Sequence, residues 1–101
     1  MTRTANAVMA ERKMLMLVHL DSLAEPGMPL CLSYGWLGRS MGLSDGQVRR
    51  ICKLLQEEGA LRVESRFLEN GARLENAYEL TPAGKRQVGD WCQKGGSLSL
   101  T

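Results

Sequence analysis

The sequence contains little of the chemistry that catalysis or metal binding requires. Its 101 residues include one histidine, His19, and three cysteines that stand far apart and form no Cys-x-x-Cys pair. Zinc sites use clusters of closely spaced cysteines and histidines, a pattern that this sequence lacks. It also shows no nucleophile beside a base, no carboxylate pair suited to acid–base chemistry and no glycine-rich phosphate loop. We therefore expect a protein that is not an enzyme and has no metal or cofactor.

Long apolar runs and a large excess of one charge are also missing. The longest apolar run, Met14–Val18, is far shorter than the roughly 20 residues that cross a bilayer. The N-terminus lacks the pattern of a signal peptide, and an odd number of dispersed cysteines indicates a reducing compartment. We therefore expect a cytoplasmic, nucleoid-associated protein without membrane contact. The 13 basic and 11 acidic residues give a net charge of +2, so any attraction to nucleic acid must come from local clusters of charge.

The segment Ser44–Gly59 predicts a helix with well-defined ends. Ser44 is a favourable N-cap, and Gln47 stands three residues later, where a capping box places Glu or Gln. Asp45 puts a negative charge in the first turn, where the helix dipole favours it. Gly59 occupies the position just after the last turn, which glycine prefers.

This helix is predicted to have one apolar face and one basic face. The apolar stripe follows the helical period and consists of Val48, Ile51, Cys52 and Leu55. The opposite side gathers Gly46, Arg49, Arg50 and Lys53. Either this basic side is simply solvated, or the core holds the helix while its N-terminal half enters a phosphate-rich groove.

Helical and apolar patterns also precede this segment. Ala7–Leu23 predicts a first helix that is apolar on more than one side, so it is either central to the fold or shared with a second copy in a dimer. Glu25–Pro29 interrupts regular structure, and Leu30–Leu32 is either a minimal strand or a buried connector. Ser33 caps a second helix, Tyr34–Met41, which a tight turn joins to the helix that begins after Ser44.

After Gly59 the apolar period changes from that of a helix to that of a strand, which predicts a β-hairpin. Leu61, Val63, Ser65 and Phe67 alternate with charged residues, and Asn70-Gly71 is a strong two-residue hairpin turn. A loop at Asn70-Gly71 places apolar pairs on one face and opposite charges on the other. The predicted pairs are Leu61 with Leu80, Arg62 with Glu79, Val63 with Tyr78, Ser65 with Asn76, Arg66 with Glu75, Phe67 with Leu74 and Glu69 with Ala72.

A last helix is predicted to begin after Thr81, the N-cap, with Pro82 at its first position, and to end near Gln93. A Gly/Ser-rich tail follows it. These elements together predict a mainly α protein with a small β-hairpin (α+β). The expected organisation is a flexible arm at 1–6, one domain at 7–93 and a flexible tail at 94–101.

The order of these elements resembles a winged-helix domain. Two helices joined by a short glycine-containing turn form a helix-turn-helix layout, and an Asn-Gly hairpin and a closing helix follow it. Leu80-Thr81-Pro82-Ala83-Gly84-Lys85 is similar to the strand-to-helix junction after the wing in MarR-like and PadR-like regulators. The segment from Ser44 to Thr81 also resembles the winged helix-turn-helix modules of phage, plasmid and bacterial regulators and replication proteins. The whole resemblance covers about residues 7–93. It implies a three-helix helix-turn-helix core, a two-stranded wing and a C-terminal helix.

The resemblance implies a recognition helix at 44–58 in the major groove of DNA and a wing at 60–81 along the backbone or in the minor groove. Glutamine and arginine suit bidentate contacts to adenine and guanine, and the other polar types suit phosphates. Gly46 departs from the pattern, because it removes a side chain where such domains often read bases. The implied DNA-binding residues are Ser33, Tyr34, Arg39, Ser44, Gln47, Arg49, Arg50, Lys53 and Arg73.

Two functions agree with these expectations. The first is a small transcriptional regulator that binds double-stranded DNA sequence-specifically as a dimer, for which the first helix is one candidate contact surface and the last helix another. The alternative is a winged-helix module that docks a protein partner in a replication or other macromolecular assembly, because the fold alone does not define the function. Salt-dependent binding to a duplex distinguishes the two.

Overall fold

The structure is a computed structural model that describes residues 5–28, 30–71 and 75–93. The helices fall close to where the sequence predicts them. The first begins at Ala5, two residues before the predicted start, and the last has the predicted bounds. In chain order the elements are α1 (Ala5–Leu23), β1 (Leu30–Leu32), α2 (Tyr34–Met41), α3 (Asp45–Glu57), β2 (Leu61–Glu64), β3 (Asn76–Leu80) and α4 (Pro82–Gln93).

The segment Leu30–Leu32 forms a strand and not a buried connector. It pairs antiparallel with β3, with Leu30 opposite Tyr78 and Leu32 opposite Asn76. The sheet therefore has three strands in the order β1-β3-β2, whereas the sequence predicted a wing of two strands alone. Because β1 leads directly into α2, this pairing fixes the start of α2 against the base of the wing.

The base of the wing has the predicted register. Leu61 lies opposite Leu80, Val63 lies opposite Tyr78, and the predicted charge pair Arg62–Glu79 forms with 3.5 Å between Nη1 and Oε1. Leu61 and Leu80 are buried and Val63 is half-buried, so one face of the hairpin packs on the core. The ion pair is exposed, and such pairs contribute little to stability.

The tip of the wing differs from the prediction. The chain reverses through a turn in which Gly71 N donates to Leu68 O at 2.9 Å, with Glu69 and Asn70 between them. Gly71 has a φ of 87°, and no other residue type in the described ranges has a positive φ. The predicted two-residue turn at Asn70-Gly71 needs a positive φ at both positions, so it is not the turn that forms. The expected partners Ala72 and Leu74 lie outside the described residues.

One predicted partner on the outer part of the wing is also wrong, whereas Leu74, the partner predicted for Phe67, lies outside the described residues. Arg66 does not pair with Glu75. Its Nη1 donates to Cys31 Sγ on β1 at 2.9 Å. The central strand β3 separates the two residues, and its small residue Ala77 lies opposite Cys31. Phe67 is 61% exposed, because the hairpin extends beyond the helices that cover its base.

The core gathers around α1 and α3. The side chains of Met16, Leu17 and Leu20 in α1 are fully buried, so α1 is central to the fold. The predicted α3 stripe is buried too, and α4 adds Val88. The remaining buried apolar residues are Leu37, Val48, Ile51, Cys52, Leu55, Ala60, Leu61, Tyr78 and Leu80. No helix of the described part of the chain is long and apolar enough to cross a membrane.

Two polar contacts attach α1 to its neighbours. The His19 ring stacks on Trp36 with 6.2 Å between centroids, and its Nε2 lies 3.0 Å from Ser40 Oγ, which ties α1 to α2. Lys13 forms an ion pair with Glu58 at the end of α3. The only histidine therefore has a structural role at a helix–helix contact.

The end of α3, the base of the wing and the start of α4 meet at one junction. Gly59 ends α3 with a φ of 78°, as its position in the sequence predicts. Thr81 caps α4 by accepting from Gly84 N at 3.1 Å, and its Oγ1 donates to Gly59 O at 2.5 Å. Its backbone N donates to Ala60 O at 3.1 Å. A Cβ on Gly84 would lie 2.1 Å from Ala60 O, so this close approach requires glycine.

Candidate nucleic-acid interface

The predicted capping box at the start of α3 is confirmed. Ser44 Oγ accepts from Gln47 N at 3.2 Å, and Gln47 Oε1 accepts from Ser44 N at 2.9 Å. Two of the backbone N–H groups that a helix start leaves without a partner are thereby satisfied. The amide oxygen of Gln47 is thus already used within the protein, so a bidentate contact to adenine would have to share it.

A tight turn sets the position of α3 relative to α2. Leu43 N donates to Gly38 O at 2.7 Å, and Gly42 has a φ of 72°. A Cβ on Gly38 would lie 2.5 Å from Leu43 O, so a larger residue would push α2 away from the turn. The two helices therefore form a helix-turn-helix whose second helix is anchored by its buried stripe.

The outward side of α3 is exposed and basic. Arg49, Arg50 and Lys53 are all exposed along it, as the helical period predicts. Asp45 adds one carboxylate in the first turn, and Gly46 leaves the first turn without a side chain between these groups. A helix held by a core and presenting three cations is suited to contact a polyanion.

Arg49 is connected to the core through two aromatic rings. Its Cζ lies 5.4 Å from the centroid of the Tyr34 ring, which is within the range of a cation–π contact. The Tyr34 ring in turn meets Tyr78 edge-on, with centroids 6.5 Å apart and an angle of 72° between the rings. Tyr78 is 3% exposed, so this chain of contacts runs from the buried face of the sheet to the surface of α3.

The same three elements enclose a shallow hollow of about 310 Å³ beside Arg49. Its walls come from the start of α2, the first turns of α3 and the residues at the start of β3. Charges of both signs are present, because Arg49, Asp45 and Glu75 all line the hollow. The lining residues are Ser33, Tyr34, Gly35, Asp45, Arg49, Glu75 and Asn76.

The other predicted site residues lie nearby or outside the described chain. Ser33 caps α2, with its Oγ accepting from Trp36 N at 3.0 Å. Arg39 is exposed, and an atom placed as Cβ on Gly35 would lie 3.5 Å from its Nη1 and 3.7 Å from Asp45 Oδ1. Arg39 and Asp45 therefore converge over the start of α2. Arg73, the predicted wing contact, lies outside the described residues.

Comparison with known proteins finds likeness at the level of structure. Neither a family model nor a curated protein sequence matches the chain. A protein from Thermoplasma acidophilum that is assigned as a transcriptional regulator has a TM-score of 0.66 and 23% identity, over 90% of this chain and 85% of that one. A PadR-like transcription factor from Bacteroides fragilis has a TM-score of 0.60 and 18% identity, over 90% of this chain and 89% of that one.

A third solved structure is the adhesin competence repressor AdcR from Streptococcus pyogenes, with a TM-score of 0.60 and 18% identity. The alignment covers 83% of this chain but 55% of AdcR, so the chain spans just over half the length of that protein. These likenesses, together with the helix-turn-helix and the hairpin, establish the fold. The chain is a winged helix with a three-stranded sheet and a closing helix.

The basic face of α3 lies where the sequence predicts it, but the contact that holds Arg49 was not predicted. It assigned Tyr34 to a phosphate contact, and nothing in the local pattern indicated that its ring lies between Arg49 and Tyr78. The contact between Tyr34 and Tyr78 follows from the pairing of Leu30–Leu32 with β3, so this short apolar segment is the sequence feature that could have indicated it. A minimal strand of three apolar residues has no period from which that register could be derived.

Proposed function

We propose that this protein is a transcriptional regulator that binds double-stranded DNA sequence-specifically as a dimer and has no enzymatic activity of its own. In this proposal α3 enters the major groove and the wing at 60–81 lies along the neighbouring backbone. The observation that carries it is the exposed row of Arg49, Arg50 and Lys53 on a helix anchored by four buried residues. Further support comes from the similar solved structures, which are named as a repressor, a transcriptional regulator and a transcription factor. A cytoplasmic location follows from the proposed partner.

The site residues divide into two groups by their chemistry. Arginine binds the O6 and N7 atoms of guanine bidentately, and we assign Arg49 and Arg50 to base contacts of this kind. The phosphate group of residues provides attraction that does not depend on sequence and weakens as salt is added. It consists of Ser33, Arg39, Ser44, Lys53 and Arg73, whereas Gln47 contributes through the cap of α3 and, by sharing its amide, a contact to adenine.

The experiment is a fluorescence-anisotropy titration of labelled duplexes from the region upstream of the gene, with random duplex as competitor and at two salt concentrations. Replacing both Arg49 and Arg50 by Ala is expected to weaken specific binding at least about 30-fold, because each bidentate contact contributes roughly 1–3 kcal/mol. Circular dichroism should show the same helix content as in the parent, since both side chains are exposed.

A matched control removes the same charge elsewhere. Lys85→Ala with Arg86→Ala takes two exposed cations from α4 and should leave specific binding within about 2-fold, at the scale of long-range screening alone. If the Arg49/Arg50 variant binds as tightly as the parent, the proposed recognition helix is wrong. If no duplex is retained even at low salt, the winged helix serves instead to dock a protein partner.

A further inference from the structure

We propose that Tyr34 is a positioning residue that acts on DNA through Arg49, and that its own hydroxyl is not a phosphate contact. This inference rests on the proposed function and deepens it, because it names what orients the base-reading arginine. The geometry on which it depends is the contact of the Arg49 guanidinium with the face of the Tyr34 ring at 5.4 Å.

The Tyr34 ring is itself held from behind. It is half-buried and meets the edge of Tyr78, a residue that the sheet buries to 3% exposure. An arginine on a solvated helix face samples many rotamers, and fixing it on binding costs conformational entropy. A ring that already supports the guanidinium removes part of this cost before DNA arrives.

Arg49 and Arg50 differ in this respect although they are adjacent. Both are exposed arginines in the second turn of α3. Within the described residues, Arg49 is stacked on an aromatic ring and Arg50 is not. The chain therefore provides an internal control, since a change at Tyr34 should alter what Arg49 contributes and leave the contribution of Arg50 unchanged.

The hollow beside Arg49 gives this positioning a direction. Asp45 and Glu75 line the same hollow, and their carboxylates would draw an unsupported guanidinium toward the protein. The contact with the face of the Tyr34 ring opposes this displacement, because the attraction between the cation and the ring holds the guanidinium over Tyr34 and away from the two carboxylates. The positioned arginine thus keeps its bidentate edge available for a base.

The test is a double-mutant cycle measured as duplex affinity. Tyr34→Leu should weaken specific binding about 2- to 5-fold, which is the effect of a cation–π contact at a partly exposed site. Tyr34→Phe keeps the ring and removes the hydroxyl, so it should bind within about 1.5-fold of the parent if the ring carries the effect. If Tyr34→Phe loses as much affinity as Tyr34→Leu, the hydroxyl is the contact and the inference is wrong.

Measuring the effect of Tyr34→Leu in the Arg49→Ala and Arg50→Ala variants distinguishes a positioning role of Tyr34 from a purely structural one. With Arg49→Ala already present, the loss caused by Tyr34→Leu should disappear, whereas with Arg50→Ala present it should remain in full. A residue needed only for folding would cause the same loss in every background, and that result would overturn the inference. Thermal unfolding of each variant fixes a temperature at which all of them are folded.

A second measurement uses the protein without DNA. Nuclear magnetic resonance of the arginine Nε–Hε groups should show a ring-current shift for Arg49 that Tyr34→Leu removes and Tyr34→Phe keeps, and the Arg50 signal should not move. If Tyr34→Leu leaves the chemical shift of the Arg49 Nε–Hε group unchanged, the contact between Arg49 and the Tyr34 ring is contradicted. If the parent chain binds no duplex, the proposed function fails and the inference falls with it. The inference alone fails if the parent chain binds duplex and Tyr34→Leu weakens binding as much in the Arg49→Ala background as in the parent.

Discussion

At the scale of single residues, the three cysteines stand in three different environments. Cys52 is fully buried in the α3 stripe, Cys31 is half-buried on β1, and Cys92 is exposed on α4. Burial raises the pKa of the Cys52 thiol to about 12, because an anion in the apolar core would lose its hydration. The thiolate is the reactive form of cysteine, so Cys52 is protected both by access and by ionisation.

We expect Cys92 to react with a thiol reagent at pH 8 as soon as it is mixed with the folded protein. The raised pKa keeps the Cys52 thiol protonated at that pH, and its side chain is fully buried, so Cys52 should react only after the core opens. Stopped-flow labelling followed by peptide mapping measures both rates. Cys92→Ser should delete the fast phase and leave the slow one, and labelling of Cys52 as fast as Cys92 would contradict the buried stripe.

At the scale of elements, two glycines in α4 have opposite roles. Gly84 approaches Ala60 O so closely that an added Cβ would lie 2.1 Å from it, whereas a Cβ on Gly89 would have nothing within 4 Å. Glycine within a helix otherwise lowers its stability relative to alanine. Only Gly84 is therefore required by the junction between α3, the wing and α4.

Gly84→Ala is expected to lower the free energy of unfolding by about 1–3 kcal/mol, as overpacking against a fixed backbone oxygen does. Gly89→Ala is the matched control and should raise it by about 0.5–1 kcal/mol, through helix propensity alone. Urea unfolding followed by circular dichroism measures both. Equal effects of the two substitutions would show that the contact with Ala60 does not constrain the packing of α4.

The elements that could be predicted from the sequence are those whose signals are local. The ends of α3 follow from Ser44, Gln47 and Gly59, whose chemistry acts within a few residues. The base of the hairpin follows from alternation, because a shift of one residue would reverse both faces. The tip was wrong because the turn depends on which backbone angles Asn70 adopts, and the Arg66 contact was missed because Cys31 lies far away in the chain.

At the scale of the whole molecule, α1 carries a half-buried apolar residue, Leu15, outside its buried stripe. Met16, Leu17 and Leu20 point into the core, and Leu15 lies on the other side of the helix and remains only half-buried. An apolar residue at such a position is common where a second copy packs. We propose the Leu15 side of α1 as the contact surface of the dimer, and DNA regulators use two-fold symmetry to read two half-sites.

We expect sedimentation equilibrium to show a dimer at micromolar concentration. Leu15→Glu should convert it to a folded monomer, because a charge at the centre of an apolar contact is costly to desolvate. Ala10→Glu adds the same charge at an exposed position of α1 and should leave the dimer intact. A parent chain that stays monomeric throughout this range would remove the dimer from the proposal.

The architecture as a whole was predicted better than the site within it. The order of four helices and a hairpin is encoded in segment lengths and periods, and it agrees with the solved structures that the chain resembles. The interface depends on the meeting of α2, α3 and β3, and no period in the sequence specifies which side chains touch there. Tyr34 and Arg49 illustrate this, since each was identified as a site residue but the contact between them was not.

The junction at Thr81 has a consequence for how this chain can change over evolutionary time. Hydrogen bonds from Thr81 to Gly59 and Ala60 close the base of the wing, and the pairing of β2 with β3 fixes both ends of the loop at its tip. Lengthening a closed loop costs little conformational entropy, about 0.6 kcal/mol for each doubling. Insertions near Asn70 therefore change the reach of the wing at little cost in stability. Related sequences can acquire contacts with new targets at this tip while the helices stay unchanged.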